Sequence, residues 1–119
     1  MKRTLILFIC FVWVVAAVDS MGQTATEPEI VVKTDQRSIA SGKELFRAKC
    51  ADCHRPDTEY TVVGPGLKGI LKNPTLPVSK KPATPDNVAA QIRHPYGEMP
   101  LFRFSHEEIL DLIAYLNTL

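Results

Sequence analysis

Cys50-Ala51-Asp52-Cys53-His54 is the stretch that decides how this 119-residue chain is read. A Cys-x-x-Cys pair followed at once by His has the spacing of a covalent haem attachment site. Two sulfurs three positions apart lie on one side of a helical turn. Both can reach the vinyl groups of one porphyrin there and form thioethers. His54 follows on the same turn, with its imidazole under the iron as proximal ligand. Ala51 and Asp52 face away. Two other chemistries share part of the pattern. A redox dithiol wants a strand before it and a βαβ surround, whereas a helix precedes Cys50. A zinc site wants four ligands. Beyond the motif the chain offers only His94, His106 and carboxylates, with no second paired motif.

Upstream, Ser38 to Cys53 reads as the first helix. Ser38 or Ser41 can cap it, and Ser41 with Glu44 fits a capping box. Gly42, Phe46, Cys50 and Cys53 fall near one face at spacings of four, four and three. Phe46 is the expected core anchor above the haem. Gly42 either lets another helix approach closely or is a simple start-of-helix residue. Downstream, Pro56 ends the segment. Val63-Gly64-Pro65-Gly66-Leu67-Lys68-Gly69-Ile70 then reads as a tight irregular turn. Such a turn can bring a backbone carbonyl, that of Pro65, to the second ring nitrogen of His54, as ligating histidines require. Leu67 and Ile70 are expected to pack on the haem. The alternative for this stretch is an ordinary surface turn.

Residues 71–83 form a proline-containing loop with Lys80-Lys81. Thr84 caps a second helix, with Pro85 at its first position and Asp86 in its first turn. It stops before Pro95, since the residue before proline avoids helical geometry. His94-Pro95-Tyr96-Gly97-Glu98-Met99-Pro100 follows. Met99 lies in a loop stiffened by two prolines. Its thioether is a soft ligand suited to iron, which makes it the candidate sixth ligand, although a lone Met is elsewhere core filler. His94 is the rival ligand, and His106 is expected to be solvated. Ser105 and Glu108 form a capping box for the last helix. Ile109, Leu112, Ile113 and Leu116 make its i, i+3, i+4, i+7 stripe, which is expected to cross the Gly42–Phe46 face.

The N-terminus opens with Lys2 and Arg3 and an uncharged run from Leu5 to Val18. That is the pattern of a secretory signal peptide, expected over 1–22. It is short of the ~20 apolar residues of a membrane span, so an uncleaved anchor is the weaker reading. Cys10 falls inside the run and leaves with it. The mature chain then keeps two cysteines, both in the motif, and no disulfide is expected. Residues 23–37 read as a flexible tether or extended arm, and 38–119 as the domain. Without the leader the charges balance, which argues against a nucleic-acid partner. Between Lys43 and Lys81, however, basic residues outnumber acidic ones, and this stretch could steer a partner.

With these elements in this order, the chain resembles the class I c-type cytochromes, monohaem bacterial electron carriers. The resemblance covers about Ser38 to Leu119. It rests on Gly42-x-x-x-Phe46, Cys50-x-x-Cys53-His54, Gly64-Pro65-x-Leu67-x-Gly69, Met99-Pro100 and the terminal helix with Tyr115-Leu116. It implies a small all-α cytochrome c fold, three or more helices around one covalent haem c, with the first and last helices crossing near Gly42 and Tyr115. It also implies thioethers at Cys50 and Cys53 and axial ligands His54 and Met99. The contacts of the haem propionates in the loop 71–83 stay unassigned. The expected function is periplasmic one-electron transfer, with no catalytic residues and with an oxidase, reductase or other cytochrome as partner. If His54 and Met99 fill both axial positions, iron has no open site for substrate. The alternatives are a haem subunit of a larger oxidoreductase, with the arm as docking segment, or a sensor or peroxidase with a labile sixth ligand.

Overall fold

The computed structural model describes residues 29–119. The expected leader and residues 23–28 of the expected arm lie outside the described residues. Three α-helices form the domain: α1 (Gln36–Lys49), α2 (Pro85–Arg93) and α3 (His106–Leu116), with a single 3₁₀ turn at Ile70–Lys72 between α1 and α2. Among the described residues there is no strand, only an isolated pairing of Thr75 with Pro82. The all-α expectation therefore holds.

The second and third helices begin where their sequences say. The Thr84 hydroxyl accepts from the Asn87 N–H, and Pro85 stands at the first helical position. Ser105 and Glu108 satisfy each other's backbone N–H groups in a complete capping box. The Ile109, Leu112 and Ile113 side chains on α3 are fully buried, each worth about 1.5–3 kcal/mol of burial.

α1 and α3 cross as expected, and Gly42 is the reason they can. A Cβ at Gly42 would stand 1.8 Å from the Asp111 carbonyl oxygen. The two backbones thus meet with no side chain between them. One turn further on, the rings of Phe46 and Tyr115 pack at a centroid distance of 5.4 Å and a 55° tilt. Such a pair adds about 0.5–1.5 kcal/mol beyond its area.

The start of α1 differs from expectation. The helix opens at Gln36, and its cap is Asp35, whose carboxylate accepts from the Ser38 N–H at 2.9 Å. Ser38 is buried inside the first turn rather than capping it. The helix also ends at Lys49, with Cys50 as its C-terminal cap instead of running on through Cys53. The early start follows from the segment before it. The second part of the expected tether is held down: Ile30 is only 5% exposed in the core, and its N–H donates to Asp86 Oδ1 at 2.9 Å. The Lys33 ammonium lies 2.6 Å from Glu107 and 3.4 Å from Asp111. Residues 29–35 therefore strap α2 to α3 and deliver the chain to the helix at Asp35.

Candidate haem site

Beyond Lys49 the chain keeps turning in helical sense without remaining a regular helix. The Cys53 N–H donates to the Cys50 carbonyl at 3.1 Å, and the His54 N–H donates to the same oxygen at 2.9 Å. This one turn carries both sulfurs and the imidazole to the wall of a single cleft of about 520 Å³. Such a volume is that of a cofactor site.

His54 is fixed from two directions. Its Nδ1 lies 2.8 Å from the Pro65 carbonyl oxygen. A carbonyl only accepts, so Nδ1 carries the proton and donates. Nε2 is then left with its lone pair, the tautomer a metal ligand needs. Gly64 lies against the ring, where a Cβ would come within 2.5 Å of Cε1. Its own N–H donates to the Cys53 carbonyl at 2.8 Å and ties the turn back onto the motif. Gly66 allows a similar approach to the Thr58 carbonyl. The Pro65 contact read from the sequence is present. The closeness of Gly64 to the imidazole was not legible, because nothing in the sequence distinguishes it from the other glycines of the turn.

Met99 lines the same cleft as His54, Cys50 and Cys53. Its loop is shaped by Gly97, whose φ of +58° suits glycine alone without strain, and by a Met99 N–H donating to the Tyr96 carbonyl at 3.2 Å. His94 does not line this cleft; it borders a separate, smaller cavity. His106 is exposed, with Nδ1 3.3 Å from the Arg93 guanidinium. Leu67 and Ile70 line the cleft as expected. Val88 and Ile92 of α2, Leu112 and Leu116 of α3, and Phe102 and Phe104 were not singled out for it, yet they complete its apolar wall. The helical stripe of α3 does carry a signal for Leu112 and Leu116, because one face of that helix serves both core and cleft.

The cations of the basic stretch stand mostly away from the cleft wall. Of the cations between Lys43 and Lys81, Lys49 alone lines the cleft, accompanied by Asp52 and Glu98. Lys80 bends back to donate to the Pro77 carbonyl at 2.6 Å. The mouth is edged instead by Val63, Val78 and Tyr96, all exposed.

A Cytochrome c family model matches residues 39–119, about two thirds of the chain. The chain belongs to the cytochrome c family. No curated protein is similar enough to match it. Membership makes this cytochrome a haem-c electron-transfer protein, of a family whose members are usually carriers rather than enzymes, and implies redox partners. Haem c is its covalent cofactor, and Cys50 and Cys53 fit the attachment motif.

The residues present suit that group. The cleft is mostly apolar, its sulfur donors stand on one turn, and the free nitrogen of His54 belongs to an imidazole already locked in orientation. They suit a dithiol poorly. If the sulfurs stayed as thiols, burial, with a smaller contribution from Cys53, would push Cys50 up to about 11. A reactive dithiol needs a depressed value. No group of three or more metal-binding side chains of the zinc type gathers among the described residues.

Proposed function

We propose that this cytochrome is a periplasmic one-electron carrier, with thioethers at Cys50 and Cys53 and axial ligands His54 and Met99, and that it is not an enzyme. One observation carries the reading: His54 and Met99 line the same apolar cleft, whereas His94 borders a different cavity. Bound haem c supplies the couple between ferric and ferrous iron. The chain's residues do the rest. His54 is oriented by Pro65 and backed by Gly64, so its nitrogen needs little rearrangement between the two oxidation states. Met99 would offer the iron a neutral thioether and, together with burial, would raise the potential. With His54 and Met99 both holding the iron, no coordination site would be left for a substrate. Phe102, Leu112 and Leu116 give the cleft apolar walls against which water is disfavoured.

Export is supported by the basic start and apolar run within residues 1–22. No helix among the described residues is long and apolar enough to cross a membrane. The reading is tested by exposing the reduced protein to carbon monoxide. A carrier with Met99 bound should keep its spectrum. Ready binding would indicate an open or labile sixth position and favour a sensor or peroxidase.

A further inference from the structure

Beside the cleft lies a second cavity of about 90 Å³, walled chiefly by Ser79, Lys81, Asn87, Gln91, His94 and Tyr96. Gln91 and Tyr96 line both spaces, so the two adjoin. Their chemistry differs. Lys81 brings a positive charge to the smaller cavity, its other walls bring mostly neutral polar groups, and no carboxylate lines it. Ser79 Oγ is buried and without a hydrogen-bond partner, alone in this among the side-chain atoms of the described residues. An orphaned buried hydroxyl in a native fold asks for an unseen partner.

The loop that carries these groups is tightly built. Thr75 pairs with Pro82 across it, and the Leu76 N–H donates to the Lys81 carbonyl at 2.8 Å. At its tip Lys80 takes a φ of +59°, rare for a residue with a side chain. Leu76, Pro77 and Val78 thereby face the large cleft, while Ser79 and Lys81 face the small one. One loop thus forms the apolar wall of the cleft and the polar wall of its annex.

We propose that Ser79 and Lys81 receive one propionate of the covalently bound haem, and that Lys81 thereby helps set the reduction potential. The proposal rests on the haem reading above. A porphyrin held through its vinyl groups carries two carboxylates elsewhere on its rim. A carboxylate leaving an apolar cleft has to be paired and hydrogen-bonded. Ser79 Oγ–H donates to it, and the Lys81 ammonium neutralises it through a charge-assisted bond. Reduction brings one electron from a redox partner and breaks no bond. A propionate left without its cation favours the ferric iron, so Lys81 holds the potential up.

The test uses the haem-loaded protein as wild type, Ser79→Ala, Lys81→Gln and Lys81→Arg, each with and without inorganic phosphate. Resonance Raman follows the propionate bending band, and potentiometry follows the midpoint. Ser79→Ala and Lys81→Gln should each shift the band. Lys81→Gln should also lower the midpoint, Lys81→Arg should restore most of it, and phosphate should change nothing. An unmoved band in both Ser79→Ala and Lys81→Gln overturns the proposal. So does a wild-type midpoint that follows phosphate while that of Lys81→Gln does not, since the cavity would then hold a free anion. Haem retained under denaturing electrophoresis keeps either failure separate from a failure of the haem reading, in which the haem itself would be lost.

Discussion

The backbone of Gly64 lies flat against the imidazole of His54: a Cβ there would stand 2.5 Å from Cε1 and 2.8 Å from Nδ1. The obstacle is a ring, not the tip of a flexible side chain, so it cannot yield without moving Nε2. Gly64→Ala should cost about 1–3 kcal/mol as an overpacking change and tilt the ring off its bond to Pro65. The ferric absorption spectrum should gain a high-spin component, and the thermal midpoint should fall. A variant with the wild-type spectrum and midpoint would show that this contact does not position the ligand.

The helix crossing at Gly42 makes a second prediction. A methyl group there would meet the Asp111 carbonyl oxygen at 1.8 Å and the Tyr115 Cβ at 2.9 Å. No rotamer change relieves a clash with backbone, so α1 and α3 must separate. Gly42→Ala should cost about 3 kcal/mol of stability, the upper end for overpacking, seen as a lower urea midpoint at unchanged slope. Gly69 is the comparison, since it has a φ of +65° but open space around it. Gly69→Ala should cost only the backbone term, about 1–2 kcal/mol. The reverse order of effects would contradict the crossing.

Acid should loosen the strap and the cap of α1. The Ser38 N–H holds the Asp35 carboxyl below its ordinary 3.8, and the Lys33 ammonium holds Glu107 below its ordinary 4.5. When the folded-state value is depressed, the unfolded chain takes up protons first as the pH falls. The contribution is therefore complete above the unfolded-state values and is lost as the pH drops through the folded-state ones. Stability should decline below about pH 4, and Asp35→Asn with Glu107→Gln should flatten that decline while keeping a good cap. Urea titrations across pH 2–6 measure it. An unchanged acid limb in the double variant would assign the loss to other carboxylates.

What was legible in the sequence is what depends on neighbours in sequence. Thr84 before Pro85, and Ser105 three residues before Glu108, mark helix starts through bonds that span three residues. Cys50, Cys53 and His54 share one turn for the same reason, and Pro65 was within reach of a loop that had to return to the motif. The start of α1 was not legible, because Asp35, Ser38 and Ser41 are all good caps. The choice among them is made by Ile30 and Lys33, whose partners Asp86, Glu107 and Asp111 lie more than fifty positions away. Gly64 against His54 was hidden likewise, and so was the cavity that Ser79 and Lys81 share with His94 and Tyr96, since only the folded loops bring those groups together.

Export makes a prediction of its own. The purified protein should begin between residues 17 and 22, be released by osmotic shock, and need no detergent. N-terminal sequencing checks this. An intact Met1 in a protein that only detergent extracts would move the reading to a membrane-anchored cytochrome.

The central claim is that Met99 and His54 complete the iron's coordination and leave it able only to carry electrons. The most direct measurement is the weak far-red absorption of iron–sulfur ligation in the ferric protein, compared among wild type, Met99→Ala and His94→Ala. The wild type and His94→Ala should both show the band. Met99→Ala should lose it and should bind carbon monoxide when reduced. A wild type without the band, or a spectrum that changes in His94→Ala and not in Met99→Ala, would contradict the account.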